Sequence, residues 1–102
     1  MDHPGSQGER ELQKKHNTSN SANSFYNSQV LDLLNPEMQK FIENQDMVFL
    51  STADSKGECD ASFRAGPKNF IKVLDDKTLM FPEFKGNGVM ASLGNISENP
   101  QI

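Results

Sequence analysis

The 102-residue chain sets 10 Lys and Arg against 14 Asp and Glu, a formal net charge of −4, and holds one cysteine and two histidines. That length gives room for one small domain, and the acidic balance excludes the broad basic face of a general nucleic-acid binder. A single thiol excludes an internal disulfide, and no stretch approaches the roughly 18–20 continuous apolar residues of a membrane-spanning helix.

The first 24 residues, MDHPGSQGERELQKKHNTSNSANS, contain almost nothing able to form a core. They read as a polar, flexible segment: residues 10–16 suit a turn or two of helix, and the Asn/Ser tract over 17–24 favours turns and disorder. They also lack the charged-then-apolar pattern of a secretory leader. With the single thiol, this leads to the expectation of a cytoplasmic protein. The globular part is placed at residues 25–102. A domain of that size buries only about 60% of its unfolded surface, so it is marginally stable.

Phe25, Tyr26, Val30, Leu31, Leu33 and Leu34 supply the first apolar cluster. Asn35-Pro36-Glu37 then combines a capping side chain, Pro at the first helical position and an acid in the first turn. Met38, Phe41 and Ile42 follow at helical spacing, which predicts an amphipathic helix over 36–44. The period changes at Met47. MVFLSTA (47–53) reads as a strand, Asp54-Ser55-Lys56-Gly57 as a turn with Gly where positive φ is easiest, and CDASFR (59–64) as the returning strand. After a loop around Gly66-Pro67, FIKVL (70–74) predicts a third strand and residues 78–81 a short fourth. A Gly-Asn-Gly loop then leads to a helix opening at Asn87 or Gly88 and running to about Asn99, where Pro100 stops it. Four antiparallel strands in meander order with flanking helices predict a mainly β (β+α) fold, a small barrel or an open half of one. Parallel α/β would need a helix between successive strands.

The loop before the last helix carries the chemistry. Unpaired N–H groups and the helix dipole make a Gly-bordered helix start a natural anion site, usually for phosphate, and Lys85 adds a formal charge at its entrance. The plain alternative is an ordinary Gly-rich turn. Gly86-Asn87-Gly88-Val89-Met90-Ala91 matches G-x-G-x-x-A, but four residues separate it from its strand and the strands read as antiparallel, so a dinucleotide fingerprint is rejected. Arg64 and Lys72, on neighbouring strands, read either as solvated cations or as phosphate contacts, Arg with a planar fork and Lys with a point charge. Cys59 has no histidine near it in sequence, and His3 and His16 are too few and too far apart for a metal site. Asp60, Asp75 and Asp76 read as turn and edge residues. No residue presents itself as a general acid or base, so any catalysis rests on a cofactor.

FLSTAD with Gly57, then Asp60-Ala61-Ser62-Phe63-Arg64-Ala65-Gly66-Pro67, then Phe81-Pro82 ahead of Gly86-Asn87-Gly88, and finally Leu93-Gly94-Asn95-Ile96 and Asn99-Pro100, together resemble the pyridoxamine 5′-phosphate oxidase-like family of FMN-binding split barrels. The likeness covers about residues 36–102 and is strongest to the branch of predicted flavin-nucleotide-binding proteins. It implies an N-terminal portion of a split barrel, truncated at its C-terminus, that in full-length form is a homodimeric FMN-dependent oxidoreductase acting on a small molecule. Carried over by position, the resemblance places Ser62 and Arg64 against the flavin or its phosphate and Phe81 and Pro82 at the cofactor's border. Lys85, Asn87 and Gly88 would surround the phosphate. Many relatives have Gly after the Gly-Pro pair, where this chain has Lys68-Asn69. Two other readings stand beside this one: a non-catalytic fragment or interaction module with uncovered strand edges, and a split barrel holding haem or the deazaflavin F420. No nucleic-acid or membrane partner is expected.

Overall fold

The computed structural model describes residues 4–102, so His3 lies outside the described residues. The chain divides into two compact units, one ending at Asn35 and one beginning at Pro36. The boundary expected from composition fell eleven residues earlier, at 24/25, as the Phe25-to-Leu34 cluster groups with the first unit.

The first unit is helical where the sequence favoured turns. Helix α1 (Gln7–Lys15) opens on a capping box, with Glu9 N–H donating to Ser6 Oγ at 3.1 Å and Ser6 N–H to Glu9 Oε2 at 3.3 Å. Asn17 turns the chain at φ 56°, and helix α2 (Ser19–Gln29) takes up most of the Asn/Ser tract. Its intrinsic helix preference is weak. Contact with α1 offsets this: the Tyr26 hydroxyl donates to the Glu9 carboxylate and accepts from Gln13 Nε2 at 2.6 Å. The Glu9 acceptor holds the proton on the phenol and raises the Tyr26 pKa. Neither helix buries a residue fully.

The second unit is a small α+β fold of two antiparallel two-stranded sheets with flanking helices and no closed barrel, consistent with a partial split barrel. Helix α3 (Pro36–Glu43) follows the expected start. Met38 and Ile42 are half-buried, but Phe41, expected in the same stripe, is 67% exposed. Asn44 Nδ2 and Gln45 Nε2 donate back to the carbonyls of Lys40 and Phe41, both at 2.9 Å, and close the helix.

Strands β1 (Met47–Ala53) and β2 (Cys59–Ala65) pair in register from Met47↔Ala65 to Ala53↔Cys59. The connecting loop is built by Asp54, whose Oδ1 accepts from the N–H groups of Lys56 at 2.8 Å and Glu58 at 2.9 Å. Those backbone donors, Glu58's foremost, hold the Asp54 carboxyl below its ordinary pKa. Gly57 sits at φ 84°, and a Cβ there would meet no atom within 4 Å. Its requirement is therefore conformational alone. Gly57→Ala is expected to cost about 1 kcal/mol, the penalty of a left-handed L-residue, read as a lower urea midpoint. An unchanged midpoint would mean that the loop relaxes to another turn type.

The expected meander is interrupted between β2 and β3 (Lys72–Asp75). The latter pairs only with β4 (Thr78–Met80), with an irregularity between Val73 and Asp75. Residues 66–71 turn instead: Gly66 N–H donates to the Asp46 carbonyl at 3.0 Å and Phe70 N–H to the Pro67 carbonyl at 3.0 Å. Asn69 lies at φ 66°, the left-handed region that Asn tolerates best after Gly, which accounts for Asn following Gly-Pro-Lys here. This turn drops Phe70 and Ile71 inward, at 5% and 4% exposure, so both leave the predicted strand to become the buried apolar core. Helix α4 (Ala91–Glu98) packs on β1 and β2, and α3 on β3.

Candidate functional site

Alternation along the first hairpin sends Val48, Leu50 and Thr52 of β1 and Asp60, Ser62 and Arg64 of β2 to its more buried face, where α4 lies. The helix is anchored there by polar bonds. Asn95 Nδ2 donates to the buried Thr52 Oγ1 at 3.0 Å, and the buried Ser92 Oγ donates to Asp60 Oδ2 at 3.3 Å. Ser92 and Ser62 share a hydrogen bond of 3.2 Å, and Arg64 Nε donates to Ser62 Oγ at 3.2 Å. A hydroxyl has one proton, so the donor order is fixed once Ser92 gives its own to Asp60: Arg64 to Ser62, Ser62 to Ser92, Ser92 to Asp60. The chain runs from a cation to an anion, and each link is polarised by the next.

Helix α4 begins later than the sequence suggested. Asn87 Oδ1 accepts from Val89 N–H at 3.0 Å, Gly88 lies at φ 84° and Met90 at φ 56°. Left-handed residues cannot belong to a right-handed helix, so the first helical residue is Ala91 and not Asn87 or Gly88. The first-turn N–H groups with the helix's partial positive charge are therefore those near Ala91 and Ser92. Asn87 and Gly88 belong to the loop ahead of it, and the Asp60 carboxylate already lies beside this helix start through Ser92.

Arg64, Ser62 and Asp60 form one wall of a cleft of about 770 Å³, and the segment from Glu83 to Leu93 forms the other. That volume lies within the range of small-molecule sites, about 300–1,000 Å³. Of the residues singled out in the sequence, Ser62, Arg64, Lys85, Asn87 and Gly88 line it together. Phe81 and Pro82 do not line it, and Phe81 packs edge-on against Phe70 with ring centroids 6.5 Å apart. Lys72 pairs with Met80 in the second sheet and is likewise absent from the cleft.

Sequence reasoning missed Asp60, Glu83, Ser92, Phe84, Val89 and Met90, which all line the cleft. Alternation in β2 was the signal for Asp60, since it shares parity with Ser62 and Arg64. Glu83 had no such signal, because loop residues carry no periodicity. Its carboxylate pairs with Arg64 Nη1.

Chemically, the cleft offers the free guanidinium N–H groups of Arg64, the Lys85 ammonium and main-chain N–H groups from an open loop. Exposed Phe84, Val89 and Met90 give it an apolar side. This donor set suits an anionic group, phosphate above all, attached to a flat apolar body. Among the described residues, no cluster of His, Cys, Asp and Glu could hold a metal ion, and no helix is long and apolar enough to cross a membrane.

No curated protein and no solved structure matches the chain. The family model described as pyridoxamine 5′-phosphate oxidase matches residues 34–102, well over half of the sequence and the whole of the cleft. The chain belongs to the pyridoxamine 5′-phosphate oxidase family.

Proposed function

We propose that the chain binds FMN and serves, as part of a homodimer, in a flavin-dependent oxidoreductase acting on a small molecule. Domains of this family are generally flavin-binding. The observation that carries the reading is the meeting of Arg64 and Lys85 in one cleft with the open Gly86-Asn87-Gly88 loop and an apolar side of Phe84, Val89 and Met90. In this reading Arg64 and Lys85 neutralise the phosphate, and loop N–H groups complete its coordination. Ser62 acts on Arg64 rather than on the ligand, because its single proton is committed to Ser92. Bound flavin supplies the electron-accepting ring, and the apolar side chains keep water from it. Support for a dimer comes from the other face of the first hairpin, where Met47, Phe49 and Phe63 stand 48%, 72% and 57% exposed. Such apolar area on one sheet face marks an association surface.

The test is a fluorescence titration of FMN with the purified 102-residue chain, with riboflavin as the phosphate-free comparison and the oligomeric mass recorded alongside. Saturable quenching of FMN at concentrations where riboflavin is unaffected is the expected result. Equal behaviour of the two flavins would remove the phosphate from the site, and no quenching of either would end the FMN reading. Absorption of the protein as purified separates flavin from haem or deazaflavin.

A further inference from the structure

The cleft contains its own anion. Arg64 is bonded to the Glu83 carboxylate, and side-chain exposures of 20% for Arg64 and 40% for Glu83 put the pair at the cleft's rim. The two partners differ in how firmly they are held. Arg64 stands in a paired strand with Nε tied to Ser62. Glu83 belongs to residues 81–90, which form neither helix nor strand. Four charged side chains line the cleft, Arg64 and Lys85 against Asp60 and Glu83, so it is neutral as it stands. Asp60 is fixed through buried Ser92, and Glu83 is the acid free to leave.

We propose that Glu83 is a displaceable counter-anion, which occupies Arg64 until a phosphate dianion takes its place. The proposal rests on the FMN reading for the identity of the ligand but not for the existence of the exchange. Relative strengths decide the direction. A solvent-exposed ion pair contributes about 0–1 kcal/mol, whereas a phosphate monoester brings close to two charges and three acceptor oxygens to the same guanidinium. Displacement leaves Arg64 and Lys85 opposed only by Asp60, so the side chains facing the incoming dianion are net positive. A ligand without that charge, such as riboflavin, does not compete for Arg64, so the carboxylate weakens FMN binding and leaves riboflavin untouched.

The experiment compares the wild-type chain, Glu83→Gln, Arg64→Ala and the double variant in titrations with FMN and riboflavin. Glu83→Gln keeps the side chain's shape and is expected to tighten FMN about fivefold, the upper scale of an exposed ion pair, and to leave riboflavin unchanged. In the Arg64→Ala background the same substitution should have lost its effect. An equal gain in both backgrounds would mean bulk charge and not the pair, and no gain in either would overturn the proposal. Should FMN bind to none of the four, the FMN reading fails, and the exchange is read separately with inorganic phosphate by NMR at the Arg64 Nε–H. A response at lower phosphate in Glu83→Gln than in wild type sustains the exchange. Identical behaviour, including no response in either, overturns it.

Discussion

Phe70→Ala is expected to destabilise the unit that begins at Pro36 by about 3–5 kcal/mol, the cost of emptying a buried aromatic site. Among the described residues only Phe70 and Ile71 are buried apolar side chains, and small domains have in all about 5–15 kcal/mol of stability. The site cannot easily collapse to fill the space. Phe70 is held by its edge-on contact with Phe81, and it lies so close over Gly66 that a Cβ there would come within 2.7 Å of the Phe70 ring. Gly66 is thus small because Phe70 needs the room. Urea unfolding followed by circular dichroism measures the effect. Phe41→Ala, which removes an equal ring from a 67% exposed position, should stay within about 0.5 kcal/mol of wild type. A larger loss at Phe41 than at Phe70 would mean that the core has been placed on the wrong residues.

Arg64→Ala is expected to weaken FMN binding by about 1–3 kcal/mol, roughly five- to 150-fold in Kd, the range for hydrogen bonds to a charged group. The substitution removes the only guanidinium in the cleft. Isothermal titration with FMN and riboflavin separates this loss from damage to the fold, since riboflavin affinity should not move. Equal FMN affinity in wild type and variant would take Arg64 out of the site, and with it the reading of the cleft as a phosphate pocket.

Much of this was legible in the residues. The capping chemistry of Pro36-Glu37, the change of period at Met47, the Asp54-to-Gly57 turn and the parity of Ser62 and Arg64 are local signals, each with its own mechanism. They located α3, β1 and β2, and strand parity put Ser62 and Arg64 on the face that lines the cleft. The sequence of Ser6 to Glu9 also spells a capping box, a signal that was present but not read. Where the reading failed, the deciding contact was distant in the chain. The Asn/Ser tract is helical because Tyr26 reaches Glu9 and Gln13 of the preceding helix. Phe70 leaves its predicted strand because Gly66, tied to the distant Asp46 carbonyl, turns the chain, and Phe81 packs against the Phe70 ring.

The last helix shows the same division at short range. Gly86-Asn87-Gly88 announced a loop that lets backbone approach a ligand, but not which residue would turn helical first. That was set by left-handed Gly88 and Met90 and by the Asn87 side chain capping Val89 N–H. Residue types, hairpin register and family membership were thus determined by the sequence itself, because backbone preference and strand parity act over a few neighbours. The pairing of Arg64 with Glu83, nineteen residues apart, and of Ser92 with Asp60, thirty-two apart, was decided only by the tertiary structure. Electrostatic partnership depends on distance in space, and no local period encodes it.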